Sequence, residues 1–401
     1  MFFTLDVRRA RKGDCLILHY GSKQDPGLAL IDGGPSNVYK PHLKPRLAEL
    51  RKARGLEADA PLPVDLLMVS HIDDDHINGV LELTRELVQA SDAKQPLPLK
   101  IKGVWHNTFD DIIGNSPKEL TAAVTASFGA ASLAGDIEVD GLNPDAAKVL
   151  ASVGQGFRLR DDTRKLKLRV NPEFKGKLVL AQAKDMKVDM GKGLKFTIVG
   201  PMNAEVVALQ KQHDEFLKKK QKEKDALSAF TDSSVANLSS VVVLAEVGKK
   251  RMLLTGDARG DKVLQGLELV GLLKKGGKIH VDVLKGPHHG SNRNVAPVFF
   301  ERITADHYVF SGNGEHGNPE RETLEMLLAA RGDDDYTVHL TYPIDEIDAG
   351  RKIAHGKHSS KPWSPKTQSL AAFLAANKNF AKKIVIVDEK KPHLINLLDE
   401  V

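Results

Sequence analysis

The chain is 401 residues long and 41% hydrophobic, with 58 basic against 53 acidic residues and a net charge of +5, which suits one elaborated domain or two with a large core and permits, without demanding, a polyanionic partner. The lone cysteine, Cys15, excludes an internal disulfide framework and a thiolate metal cluster. No run of about 18 uncharged apolar residues reads as a membrane span, and Met1–Val7 lacks the basic start and small-residue cleavage site of a secretory leader, so a cytoplasmic location without membrane contact is expected.

Asp14–Tyr20 and Leu28–Ile31 read as strands separated by a Gly/Asp/Pro turn, and Asp32-Gly33-Gly34-Pro35 ends the second. Residues 41–55 carry apolar positions at helical spacing. Val64–Val69 is a short apolar run of buried-strand type, and a helix is predicted from Ile77 to Val88. Ser70-His71-Ile72-Asp73-Asp74-Asp75-His76 therefore falls on a strand-to-helix loop, where side chains at a strand's C-terminal edge converge on a cleft. The middle of the chain, about 106–235, shows Ala-rich helical stretches, a Lys-rich strand-like region near 164–189 and a strongly charged helix at 203–226. Within it, Phe216–Lys224 reads as a solvated face in preference to a nucleic-acid contact.

Beyond 236 the strand signal returns. Ser239–Leu244 and Arg251–Thr255 read as a hairpin joined through Gly248-Lys249-Lys250. Gly256-Asp257 and a helix to about 273 follow, then strands at Val281–Lys285, Tyr308–Ser311 and Thr337–Thr341. There is no internal repeat.

Imidazoles and carboxylates bind divalent metals where thiolates are absent. His71, Asp73 and Asp75 alternate along an extended segment and so share a face, and His76 can turn back to the same centre. Such a concentration of charge would repel and desolvate badly without a cation. Asp32, Asp257 and the pair His288-His289 each follow an apolar strand and are flanked by glycine, which lets backbone approach a site closely. Singly, these are a turn aspartate, a helix cap and a surface loop. The recurrence of one design at four strand ends favours a shared centre.

These residues, in this order, resemble the metallo-β-lactamase superfamily, and most closely the hydrolase domain of ComEC-like competence proteins. The resemblance is carried by Gly13-Asp14, Ile31-Asp32-Gly33-Gly34, His71-x-Asp73-x-Asp75-His76, Asn237-x-Ser239-Ser240-Val241, Leu253-Leu254-Thr255-Gly256-Asp257 and Lys285-x-x-His288-His289-Gly290-Ser291. It implies an α/β (α+β) fold, an αββα sandwich in a single elaborated domain over 1–401, with an insertion at about 106–235 and a C-terminal extension at about 345–401.

It also implies two divalent metal ions, zinc or manganese. Asp75, His76 and one histidine of the 288–289 pair would hold one ion, with His289 favoured over His288. His71 and Asp73 would hold the other, and Asp257 would bridge. Asp32 would orient ligands from behind, with Ser291 similarly placed. Asp73 stands where most of the family has histidine, and no histidine shortly precedes Gly256-Asp257, where Asn237 occupies the region. His106 lies in a non-matching context and is expected to be a core or surface residue. The site of His71 and Asp73 is thus oxygen-rich, which makes manganese (or magnesium) competitive with zinc there.

The implied activity is hydrolysis by a metal-activated water that Asp75 helps orient, with a phosphodiesterase or nuclease favoured and nucleic acid or another phosphodiester as substrate. The alternatives are a hydrolase of carbonyl esters, such as a lactone, thioester or β-lactam, and a non-catalytic metal-binding module. His316, in the Gly/Asn-rich loop Phe310–Pro319 before a Pro-started helix, is a candidate general acid or phosphate contact. Lys285 is a candidate catalytic cation or a neutraliser of nearby carboxylates. His355 and His358 are expected on a flexible basic surface loop.

Overall fold

The computed structural model describes residues 1–57, 59–107, 144–183, 187–207 and 239–399, with side chains of 144–153 outside the description. Sixteen strands are described. The first group is β1 (Phe2–Val7), β2 (Leu16–Gly21), β3 (Pro26–Ile31), β4 (Leu62–Val64), β5 (Leu66–Met68), β6 (Leu99–Ile101) and β7 (Val104–Trp105). The second is β8 (Lys187–Gly191), β9 (Leu194–Gly200), β10 (Val242–Val247), β11 (Lys250–Leu254), β12 (Ile279–Lys285), β13 (Ile303–Phe310), β14 (Thr337–Leu340), β15 (Ile384–Ile386) and β16 (His393–Leu398). They form a six-stranded sheet ordered β16-β1-β2-β3-β5-β7, an eight-stranded sheet ordered β15-β14-β13-β12-β11-β10-β9-β8, and the pair β4-β6. The fold is mixed α/β.

Alternation along the strands explains the packing. In β2 and β3, Leu16, Leu18, Ala29 and Ile31 join Phe196, Val243, Met252, Val283 and Val309 of the other sheet in one apolar core. Ile17, Leu28 and Leu30 face the opposite way, onto helices α1 (Lys44–Ala53), α2 (Asp74–Asp92) and α3 (Pro144–Lys165). The outer face of the larger sheet is covered by Leu264 and Leu267, Phe299 and Phe300, Leu324 and Leu327, Ile347 and Phe373, all from helices after residue 259. Both faces of each sheet are thus apolar, which is why the strands read as near-continuous hydrophobic runs.

Several boundaries differ from the sequence reading. The run Val64–Val69 is broken at Asp65 into β4 and β5, because the Asp65 carboxylate accepts hydrogen bonds from the Tyr20 hydroxyl, the Leu28 N–H and the Lys192 ammonium. Helix α2 begins at Asp74, not Ile77. The region near 164–189 is not one strand: α3 runs to Lys165 and β8 begins only at Lys187. Within the stretch 106–235, β9 and the edge strand β8 complete one side of the larger sheet, and α3 is tied to α2 by Gln155 to Asn78 (3.0 Å) and Thr84 to Asp162 (2.7 Å). Residues 203–207 are helical; 208–238, holding most of the charged helix expected at 203–226, lies outside the described residues. His355 and His358 end a helix, Ile344–His358, and are not on a loop. Pro319 follows a cis bond before the helix Arg321–Arg331 and does not start it. No helix among the described residues is long and apolar enough to cross a membrane.

Helix α2 is locked onto the end of β3 by two glycines. The Gly33 N–H donates to His76 O (2.8 Å) and the Gly79 N–H to Gly34 O (2.9 Å). A Cβ on Gly79 would stand 1.9 Å from the Gly33 carbonyl oxygen. Gly79→Ala is expected to cost about 1–3 kcal/mol in urea unfolding, the range for overpacking. It should also weaken metal retention, because the first turn of α2 moves with it. A variant of unchanged stability would show that this close approach is not needed.

Candidate metal centre

Parallel pairing puts several strand ends on one edge. β3 runs beside β5, and β11, β12 and β13 run side by side, so the segments after Ile31, Met68, Leu254, Lys285 and Phe310 gather there. The two sheets are stitched at this edge by the Val241 N–H to Ser70 O (2.7 Å). Asp73 is the last extended residue (φ −71°, ψ 149°), and Asp75 and His76 already lie in the first turn of α2. The expected alternation of His71, Asp73 and Asp75 along a strand therefore does not occur; the turn into the helix brings Asp75 and His76 towards His71.

Asp32 adopts a left-handed backbone (φ 58°), which aspartate tolerates better than most residues. Its carboxylate accepts from the Ser70 N–H (2.7 Å), the Ser70 hydroxyl (2.7 Å) and His76 Nδ1 (2.8 Å). That fixes the ring of His76 and leaves its Nε2 towards Asp257 (3.2 Å).

Asp257 is the hub. Its Oδ1 lies 3.2 Å from His76 Nε2 and 3.3 Å from His289 Nε2; its Oδ2 lies 3.4 Å from His288 Nε2 and 3.8 Å from His71 Nε2. His71 Nε2 is also 3.7 Å from Asp73 Oδ2, and His289 Nε2 is 3.7 Å from Asp75 Oδ2. His288 and His289 are both left-handed (φ 44° and 55°), so consecutive rings approach opposite oxygens of one carboxylate. His288 is steadied through Nδ1 by Asn294 (3.0 Å).

Sequence reasoning missed Asp14, quoted only as part of a motif. It is buried with Oδ2 2.5 Å from Lys285 Nζ and Oδ1 3.4 Å from His289 Nδ1. The Gly13 backbone leaves no space for a side chain against Asp75, and the Asp14 N–H donates to Asp75 O (3.2 Å), which seats Asp14 at the centre. Two features of the sequence mark it, its position at the head of an apolar strand and its place in the Gly13-Asp14 motif. Lys285 is buried, donates to Gly256 O (3.1 Å) and neutralises Asp14; its ammonium has no face open to solvent. His316 is at the rim, 41% exposed, with Nδ1 3.9 Å from Asp75 Oδ2. Ser291 is buried and its N–H caps the His288 carbonyl (2.9 Å). His106 is buried after β7, its backbone held on both sides by the Asn171 side chain, and it joins neither group of possible ligands. Asn237 lies outside the described residues.

Among the described residues, two buried groups could hold metal ions: Asp14, His76, Asp257 and His289; and His71, Asp75 and His76. Their chemistry fits. His71 Nε2, His76 Nε2, His289 Nε2 and Asp257 Oδ1 are buried without a hydrogen-bond partner, an arrangement that costs free energy unless a cation accepts their lone pairs. Burial raises the cost of charging Asp257, but His289, His288 and His76 outweigh it and hold the carboxyl well below its usual range. Burial likewise disfavours a charged His289, yet Asp257 and Asp14 push it up to about 10; Asp257 and Asp32 raise His76 in the same way. Burial and the neighbouring His76 push His71 down. In the absence of a cation the neighbouring carboxylates thus favour protonation of His76 and His289.

No protein-family model and no curated protein matches the chain.

Metal binding must displace those protons. Calorimetric titration with zinc, in buffers of differing ionisation enthalpy, should show proton release near neutral pH and affinity that rises with pH; binding without release would contradict this charge balance. Asp32→Asn should weaken metal affinity about 10–100-fold, and His289→Ala should weaken it more than His288→Ala, whose ring is partly exposed.

Proposed function

We propose that the chain is a metal-dependent hydrolase with the αββα sandwich of the metallo-β-lactamase superfamily, closest to ComEC-like hydrolase domains, and that it cleaves phosphodiesters, with nucleic acid the leading substrate class. One observation carries the reading most: the two oxygens of the buried Asp257 face different histidines, His76 and His289 on one side and His71 and His288 on the other. A carboxylate presented in this way suits a pair of ions. On this proposal His76, His289 and Asp75 would hold one ion, His71 and Asp73 would hold the other, and Asp257 would serve both. The oxygen donors of the second group favour manganese over zinc there.

When bound, divalent ions at such a centre lower the pKa of a coordinated water and neutralise charge that builds on the attacked group. The chain's own residues do the rest. Asp32 and Asn294 hold the rings of His76 and His288 in place. Lys285 keeps Asp14 charged and buried beside His289. His316, the histidine at the rim, is placed to hand a proton to a departing alkoxide or to hold a phosphate oxygen. Arg11 is paired with Glu315 next to His316 (2.9 Å), and Lys12 with Asp74 (3.0 Å), so each of these cations sits against a carboxylate.

Purified protein supplied with manganese or zinc should cleave bis-p-nitrophenyl phosphate and at least one of single-stranded DNA, double-stranded DNA and RNA, with His76→Ala inactive. His316→Ala should lower kcat about 100–10,000-fold, the span of general acid catalysis, while leaving metal affinity unchanged. Cleavage of lactones, lost in His76→Ala, without phosphodiester turnover under any metal would move the protein to carbonyl-ester chemistry. Metal binding without turnover of either class would make it a binding module.

A further inference from the structure

Away from the metal centre, three histidines from three strands form a hydrogen-bonded row between the sheets. His307 is on β13, His339 on β14 and His393 on β16. Their two-residue neighbours Val309 and Ile395 belong to the core between the sheets, whereas Tyr308, Val338 and Leu340 face the helices. The row therefore links the β15 side of the larger sheet to the outermost strand of the smaller one. His307 Nδ1 is 3.1 Å from His339 Nε2, and His339 Nδ1 is 2.8 Å from His393 Nε2. His339 is buried and both ends of the row are partly exposed.

Proton counting limits what this row can hold. Each N···N contact takes one proton: two N–H groups facing each other repel, and two bare nitrogens bond to nothing. The four inner nitrogens share two protons, and the outer ones, His307 Nε2 and His393 Nδ1, carry one each. Three neutral rings supply three protons. One more fits with both contacts intact; a further one must break a contact.

The surrounding charges do not relieve this. Among the described residues, His307 feels the charges of Asp306 on its own strand, Asp282 of β12 and Lys250 of β11; His393 those of Asp6 of β1 and Arg8 just beyond it; and His339 those of the other two rings. Asp282 is bound to Lys250 (2.6 Å) and the Arg251 N–H, Asp6 to Arg46 (2.6 Å) and Arg8 (3.4 Å), and Asp306 to His280 (3.3 Å). Burial, reinforced by its two neighbours, pushes His339 down to about 3, and burial lowers His307 and His393 as well.

We propose that His307, His339 and His393 are an acid-sensitive clasp between the sheets, which accepts one extra proton and opens on the next, releasing β16. The sign follows from lowered pKa values: above about pH 6.5 folded and unfolded chains are both neutral here, and below it the unfolded chain binds protons that the row refuses, so stability falls. Among the described strands β16 pairs with β1 alone, at the edge of the smaller sheet, so it can detach without unpairing β1 from β2. The clasp does not depend on the chemistry proposed for the metal centre.

Histidine-selective 15N NMR, with hydrogen exchange on the full chain, tests it. The row should take up one proton on acidification from about pH 7.5 to 5, and β16 amides should then exchange about tenfold faster than intrinsic rates require, the factor set by one unit of unequal proton binding. His339→Leu should abolish that acid-induced acceleration, and His393→Asn should do the same if the first variant does not fold. Three histidines titrating independently near their ordinary value, or acceleration that persists in the variants, would overturn the clasp.

Discussion

Both oxygens of Asp257 are out of water, among four imidazoles and the Lys285 ammonium. A buried carboxylate in that company can stay charged only while positive charge faces it, whether protons on histidine or a metal ion. The surrounding structure follows from this requirement. Asp32 and Asn294 fix rings from behind, Lys285 compensates Asp14, and Asp14 backs His289. Each is one more charge or dipole that makes the next burial tolerable, so removing any one of them leaves the others more exposed to desolvation.

Backbone geometry makes the crowding possible. His288 and His289 are consecutive left-handed residues whose rings reach different oxygens of one carboxylate. The Gly33–Gly79 contact brings a helix against a turn closely enough that the first turn of α2 becomes part of the centre. Parallel strands supply the common edge, and the apolar core between the sheets keeps the two contributing edges in register.

Much of this is legible in the sequence, and what is not has identifiable causes. The apolar runs ending in Asp32, His71, Asp257 and His288 mark strand ends, because buried parallel strands are hydrophobic on both faces. Asp14 escapes notice because its partners, Lys285 and His289, are distant in the chain. Asp65 breaks a run that composition alone would leave whole, since its three donors come from β2, β3 and the turn at Lys192. The early start of α2 is hidden because Asp74 and Asp75 resemble loop residues, although acidic side chains suit the first turn of a helix. His307, His339 and His393 are solitary in sequence; only strand order makes them a row.

The centre draws on both ends of a long stretch of chain. His71, Asp75 and His76 come from the smaller sheet and its helix, and Asp257 and His289 from the larger one, with about 180 residues between them. An ion held there is also a removable cross-link between the two halves of the molecule. Such an ion would bind the folded arrangement and not the unfolded chain, so whatever free energy its binding supplies would favour keeping both contributing halves folded together.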